Sequence, residues 1–193
     1  MKLVVALWNP EKKYWWTRHS IGAHVVLQWL NALREADSEV ALTPDDLFSK
    51  QKNGAALFSV TWGRGKVFVL FPSEYMNDSG RDVAAFARMK RIASENILVV
   101  HDDKDMDLGK IRFVKASAES GNGGHNGVKS VMDSLSTKKF ARLKIGVANE
   151  LVKARTVDTA DFVLDPFSKE EKTQLPEIIL AAAKAIEETF LAS

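Results

Sequence analysis

Cysteine is absent from these 193 residues, which excludes disulfides, a thiolate nucleophile and any zinc site built on sulfur. Long apolar runs are missing too: no stretch approaches the roughly 20 residues that span a bilayer. The start, Met1-Lys2 followed by Leu3 to Leu7, is too short for the hydrophobic segment of a signal peptide, so cytoplasm is the expected compartment and no membrane partner is expected. No Gly-x-Ser-x-Gly elbow occurs, and with cysteine also missing a covalent acyl-enzyme is disfavoured. Gly121-Asn122-Gly123 opens like a dinucleotide fingerprint but fails it, because Asn126 stands where the next glycine belongs. Repeats, low-complexity segments and dividing linkers are all lacking, which leaves one domain over residues 1–193.

What is present is ordinary in bulk, with 46% hydrophobic and 27% charged residues, and uneven in layout. Net charge is only +2, yet Lys110 to Arg155 holds ten Lys/Arg against three Asp/Glu, and Thr156 to the end holds three against eight. A segregated basic stretch points to a polyanionic partner; solvated surface lysine is the plainer alternative.

Strands alternate with helices. Residues 2–8 read as a buried strand, and Ile21, Val25, Leu30 and Leu33 recur at helical spacing over about 21–35, with His19 or Ser20 as the cap. Residues 36–46 are turn-rich, with a candidate short strand at 40–42. Apolar runs at 55–61 and 66–71 flank Trp62-Gly63-Arg64-Gly65, a hairpin signature. A helix over about 80–92 follows, then a strand, 97–101, closing on the acidic turn 102–105. A strand at 109–115, a small-residue loop at 116–124, a helix at about 126–135 and a strand at 140–147 come next. Residues 149–161 read as a polar connection, and Ser168 with Glu171 forms a capping box for a last helix that Pro176 interrupts or restarts. The fold class is α/β: a single-domain mixed twisted sheet flanked by helices on both faces.

Polar turns at strand ends are where open α/β sheets place their chemistry. Four stand out: Asn9 to His19, Tyr75-Met76-Asn77, His101-Asp102, and Gly121 to Gly127. Ester hydrolysis needs a base for water, a group holding that base in one tautomer, and donors for the oxyanion. His, a carboxylate and Asn amides supply these in turn. Plainer roles compete: Asp102 as a turn cap, the glycines as a tight loop, His24 as a packed residue, and Trp8, Trp15 and Trp16 as core rather than base-stacking rings. His101, His125, Asp102 and Asp105 form a conceivable metal set, but their spacing matches no metal motif.

Taken together, Leu7-Trp8-Asn9-Pro10 with Tyr14 and Thr17-Arg18-His19, Pro72 to Gly80, Val100 to Asp103, Gly123 to Gly127 and Phe140 to Gly146, with Phe162-Val163-Leu164 before the last helix, resemble the bacterial-type peptidyl-tRNA hydrolase family. The resemblance implies hydrolysis of the ester between a peptide and tRNA by His-activated water, with no metal or other cofactor. It implies His19 as base, Asp102 as the group keeping it basic, Asn9 as the residue discriminating blocked aminoacyl ends, and Tyr14, Tyr75, Asn77 and Asn126 as substrate-binding. The implied partner is peptidyl-tRNA, through its acceptor end and phosphate backbone, with the basic stretch facing phosphates and the protein a monomer. Trp8 stands where the family usually has Gly, Ser20 where it has Asn, and Lys144 where it has a second Arg; the stretch near Glu11 and the glycine loop at Asn122 also depart from its pattern. Two rival readings are a non-catalytic RNA-binding relative of the splicing-factor kind and a peptidase on the same scaffold.

Overall fold

Leu3, Val5 and Leu7 belong to one apolar core and Val4, Ala6 and Trp8 to another, as the period of two along a strand requires when both faces are covered. The computed structural model describes residues 1–34, 41–51, 54–118 and 121–192. In it β1 (Lys2–Ala6) runs parallel to both its neighbours, β3 (Gly65–Phe71) and β4 (Ile97–Asp107). With β2 (Ala56–Trp62), β5 (Ile111–Val114) and β6 (Ala141–Ala148), the sheet order is β2-β3-β1-β4-β6-β5. Both edge strands are antiparallel to their neighbours, so the sheet is mixed.

On one face, α1 (Ile21–Arg34) and α7 (Lys169–Ala185) bury Val25, Trp29, Leu175 and Ala182. On the other, α3 (Ser79–Lys90) and α4 (Asn126–Leu135) bury Val83, Phe86, Val128 and Val131. Three shorter α-helices are also present among the described residues, α2 (Pro44–Gln51), α5 (Glu150–Lys153) and α6 (Thr159–Leu164), and a π-helical segment, Ile186–Leu191, follows α7. A side-chain carbon at Gly22 would collide with the carbonyl oxygens of Leu7 and Val100. Glycine there lets α1 start directly on the end of β1 and against Val100 within β4, and this brings the preceding turn to the carboxyl end of β1.

Several expectations are corrected. β4 does not end at His101 but continues through the acidic stretch to Asp107, with a register shift between Asp103 and Asp107. Pairing with β6 and the Lys144 Nζ to Asp103 contact at 2.6 Å offset the charge that made those residues look like a turn. Neither His19 nor Ser20 caps α1: a 3-10 turn, Arg18–Ser20, leads straight into it, and Ser20 Oγ instead accepts from the Asn9 N–H at 3.4 Å. Residues 149–161 contain α5 and the start of α6, capped by the side chains of Asn149 and Asp158. Pro176 leaves α7 unbroken; the carbonyl it frees, four residues back, belongs to an exposed turn where water can serve it. Ala41 and Leu42 are not in a strand, Leu42 being held at both backbone groups by the Asn31 carboxamide, and residue 40 lies outside the described residues.

Trp8 is fully buried, stacks on Phe48 of α2 at 5.6 Å and donates Nε1–H to the Pro72 carbonyl at 3.0 Å. The bulky ring beside Asn9 therefore fills the core under α2. Trp15 and His24 are buried with it, while Trp16 is half exposed.

Candidate active site

A carboxylate at the midpoint of β4, Asp102, receives two imidazoles. Asp102 Oδ1 lies 2.8 Å from His19 Nδ1 and 2.9 Å from His125 Nε2, and the His19 and His125 rings are 4.7 Å apart. Asp102 is 2% exposed. Burial by itself would raise its carboxyl pKa, but the charge and hydrogen bonds of His19 and His125 overcome that and hold it well below the ordinary range. The carboxylate is therefore ionised and can only accept.

This fixes both tautomers. His19 donates Nδ1–H to Asp102, leaving the Nε2 lone pair free to take a proton. His125 caps α4: its Nδ1 accepts from the Val128 N–H at 3.3 Å, so its hydrogen sits on Nε2 and points at Asp102. Gly123 and Gly124, at φ of +61° and +74°, make the tight turn that delivers His125 to that place.

His19, Asp102 and His125 present ligand-type atoms within 4.8 Å of one another. Nδ1 of His125 faces a backbone donor, whereas a metal-bound imidazole gives its second N–H to an acceptor, and the N···O separations are those of hydrogen bonds. The donor set is filled by protons. The other conceivable set is not assembled: His101 donates Nδ1–H to the Asp102 carbonyl at 2.6 Å, and Asp105 pairs with Lys104 at the surface. His101 is fully buried, and burial above all keeps it neutral, with its pKa well below the ordinary value.

The cleft has two lobes. One, of about 220 Å³, is lined by His19, Asp102, His125 and the Asn122 to Asn126 turn. The other, of about 390 Å³, is lined by Asn9, Tyr14, Tyr75, Asn77 and Asn126. His19, Asn126, Ala160 and Val163 line both. All seven residues singled out from the sequence thus meet in one cleft. Asn9 Oδ1 accepts from the Met76 N–H at 3.0 Å, so its NH2 is the half left to donate into the cleft. Tyr14 and Tyr75 stand edge to face at 6.5 Å. His125's bond to Asp102 and the α6 wall of Ala160 and Val163 were not foreseen. The sequence signals were the place of His125 in the glycine turn and in a conceivable metal set, and Phe162-Val163-Leu164 of α6 as part of the resemblance; none of them pointed to this bond or to this wall.

In the basic stretch, Lys110 and Lys153 pair with Asp107, Lys129 with Asp133 and Lys144 with Asp103. Among the described residues, Arg112, Lys115, Lys138, Lys139 and Arg155 are exposed cations with no carboxylate at ion-pair distance.

The sequence model of the family described as peptidyl-tRNA hydrolase matches residues 3–193. A peptidyl-tRNA hydrolase of Clostridium botulinum (strain Eklund 17B / Type B) is 39% identical over 194 residues, covering 97% of this chain and 88% of that one. One from Nocardia farcinica is 36% identical, covering 96% and 88%. The crystal structure of peptidyl-tRNA hydrolase from Acinetobacter baumannii superimposes with a TM-score of 0.78 at 28% identity, covering all of this chain and 89% of that one. With its sequence, its sheet and the contents of its cleft in agreement, this chain belongs to the peptidyl-tRNA hydrolase family.

Proposed function

We propose that the chain hydrolyses the ester joining a peptide to tRNA, with His19 as general base and Asp102, Asn9, Tyr14, Tyr75, Asn77 and Asn126 in the supporting roles below. The observation that carries the assignment is the His19–Asp102–His125 chain of hydrogen bonds, which leaves His19 Nε2 as the proton acceptor of a cleft with two lobes.

Water gives a proton to His19 Nε2 and its oxygen attacks the ester carbonyl carbon. Asp102 is ionised and stabilises the imidazolium that forms, and His125 shares that carboxylate and keeps its oxygen in place. The carbonyl oxygen becomes an oxyanion, for which the NH2 groups of Asn9, Asn77 and Asn126 are neutral donors. Collapse breaks the bond to the tRNA 3′-oxygen, which leaves with the proton held on Nε2. The products are a peptide acid and a tRNA with a free terminal hydroxyl. Tyr14 and Tyr75 flank the entrance as apolar walls with polar tips. The exposed cations of the basic stretch meet tRNA phosphates. The complete set of site side chains favours turnover over a purely RNA-binding role.

The test is release of N-acetyl-amino acid from N-acetyl-aminoacyl-tRNA, with free aminoacyl-tRNA as control. Turnover of the blocked substrate alone is expected; equal turnover of both removes the discriminating role that the resemblance implies for Asn9, and turnover of neither removes the activity.

A further inference from the structure

The capping-box carboxylate of Glu171 meets, besides its own cap residue Ser168, groups from two segments remote from it in sequence. Oε2 accepts from Arg18 Nη2 at 2.7 Å and from the Ser168 N–H at 2.7 Å, while Oε1 accepts from Asn149 Nδ2 at 2.8 Å. Arg18 then donates through Nη1 to the carbonyl oxygens of Phe162 at 3.1 Å and Asp165 at 3.2 Å, its guanidinium 4.1 Å from the Phe162 ring centre. Residues 149 and 165 are the two ends of the excursion from β6 that carries α5 and α6, and α6 provides the wall shared by both lobes of the cleft. Arg18 immediately precedes His19.

A capping box needs one oxygen facing one backbone N–H. Here the second oxygen and the ion pair are additional, and Arg18 and Glu171 are 5% and 7% exposed, so water does little to screen the pair. We propose that Glu171 is a positioning residue for substrate: it clasps both ends of the 149–165 excursion and fixes the Ala160 and Val163 wall against the turn that carries His19. The inference rests on reading this cleft as the hydrolytic site. Losing the clasp loosens binding of substrate while leaving the His19–Asp102 chemistry in place.

The donor and acceptor pattern supplies the test. In Glu171→Gln the amide oxygen stays with Arg18 and Ser168, which forces its NH2 against the Asn149 NH2. In Asn149→Asp two carboxylates face each other, while Asp Oδ1 still caps α5 as Asn149 Oδ1 does. In the double variant the Gln NH2 donates to the new Asp, and the pairing is restored. Each single variant is expected to raise KM for N-acetyl-aminoacyl-tRNA about tenfold with kcat within about twofold, and the double variant to return KM to within about twofold of the starting protein. Should Glu171→Gln fail to fold, Asn149→Asp, on a partly exposed side chain, carries the test. Unchanged KM, a fall in kcat alone (the mark of a smaller folded fraction), or a double variant no better than the worse single overturns the proposal. Amide hydrogen exchange over residues 150–164 reads the clasp without turnover. Faster exchange in the singles and its reversal in the double support the clasp even if the starting protein is inactive, and unchanged exchange overturns it.

Discussion

Replacing Asp102 by Asn isolates the charge of the carboxylate from its geometry, because His19 and His125 both donate to the same oxygen, Oδ1. An Asn oxygen in that place still accepts from both rings, so the His19 tautomer and the orientation of both imidazoles survive. What is lost is the attraction between the carboxylate and the imidazolium formed during the reaction. Two unit charges about 4 Å apart at an effective dielectric of about 20 attract by about 4 kcal/mol, equivalent to about a thousandfold in rate. Asp102→Asn is therefore expected to lower kcat by about 10²- to 10³-fold, with KM within about threefold. Asp102→Ala leaves two buried N–H groups without an acceptor, costing about 1–3 kcal/mol each in stability, and should fall further in rate. The assay is deacylation of N-acetyl-aminoacyl-tRNA under saturating and limiting substrate, with thermal unfolding of each variant. An Asp102→Asn enzyme within tenfold of the parent would refute the claim that carboxylate charge drives the chemistry.

His24 offers a test of stability against pH. Burial, only partly offset by its bond to the Trp15 carbonyl, lowers its pKa from 6.5 to about 4. A neutral buried His binds fewer protons folded than unfolded, so stability is full above pH 6.5 and falls as pH drops toward 4, by about 3 kcal/mol from this residue. His24→Gln should flatten denaturant-unfolding free energy across that window; an unchanged slope contradicts the assignment. Asp102 acts in the same direction over a lower window: its lowered pKa stabilises the fold above the ordinary carboxylate pKa, and that contribution is lost as pH falls below it. Trp8→Ala should cost about 3–5 kcal/mol in thermal or denaturant unfolding, since it empties the contact between β1, Phe48 and Phe71, while kcat of the folded fraction stays near that of the parent. Arg112→Ala and Lys115→Ala should each reduce the slope of log tRNA affinity against log salt by about 1; unchanged slopes place the phosphates elsewhere.

The elements set by local periodicity were legible in the chain. The β1 run, the 62–65 hairpin, α4 and the Ser168 capping box each carry their own turn or cap chemistry, and each stands where the residues placed it. The extension of β4 was hidden because acidic residues read as a turn unless a partner strand and Lys144 are known to be there. Helix α2 was hidden because only Leu47 and Phe48 of its eight residues are large and apolar. The seven candidate residues came from a resemblance spread over five motifs, and all of them line the cleft. His125's bond to Asp102 spans 23 residues and Arg18's to Glu171 spans 153. No local pattern encodes such pairings; they exist only once β4, α4 and α7 have packed.

The central claim is that His19 Nε2 takes the proton from water. Single-turnover hydrolysis of N-acetyl-aminoacyl-tRNA by His19→Ala, with tRNA affinity measured on the same preparation, tests it most directly. The account predicts a fall of about 10²- to 10⁴-fold in the hydrolysis rate with affinity close to that of the parent. Equal loss of rate and affinity, or a rate near that of the parent, would contradict it.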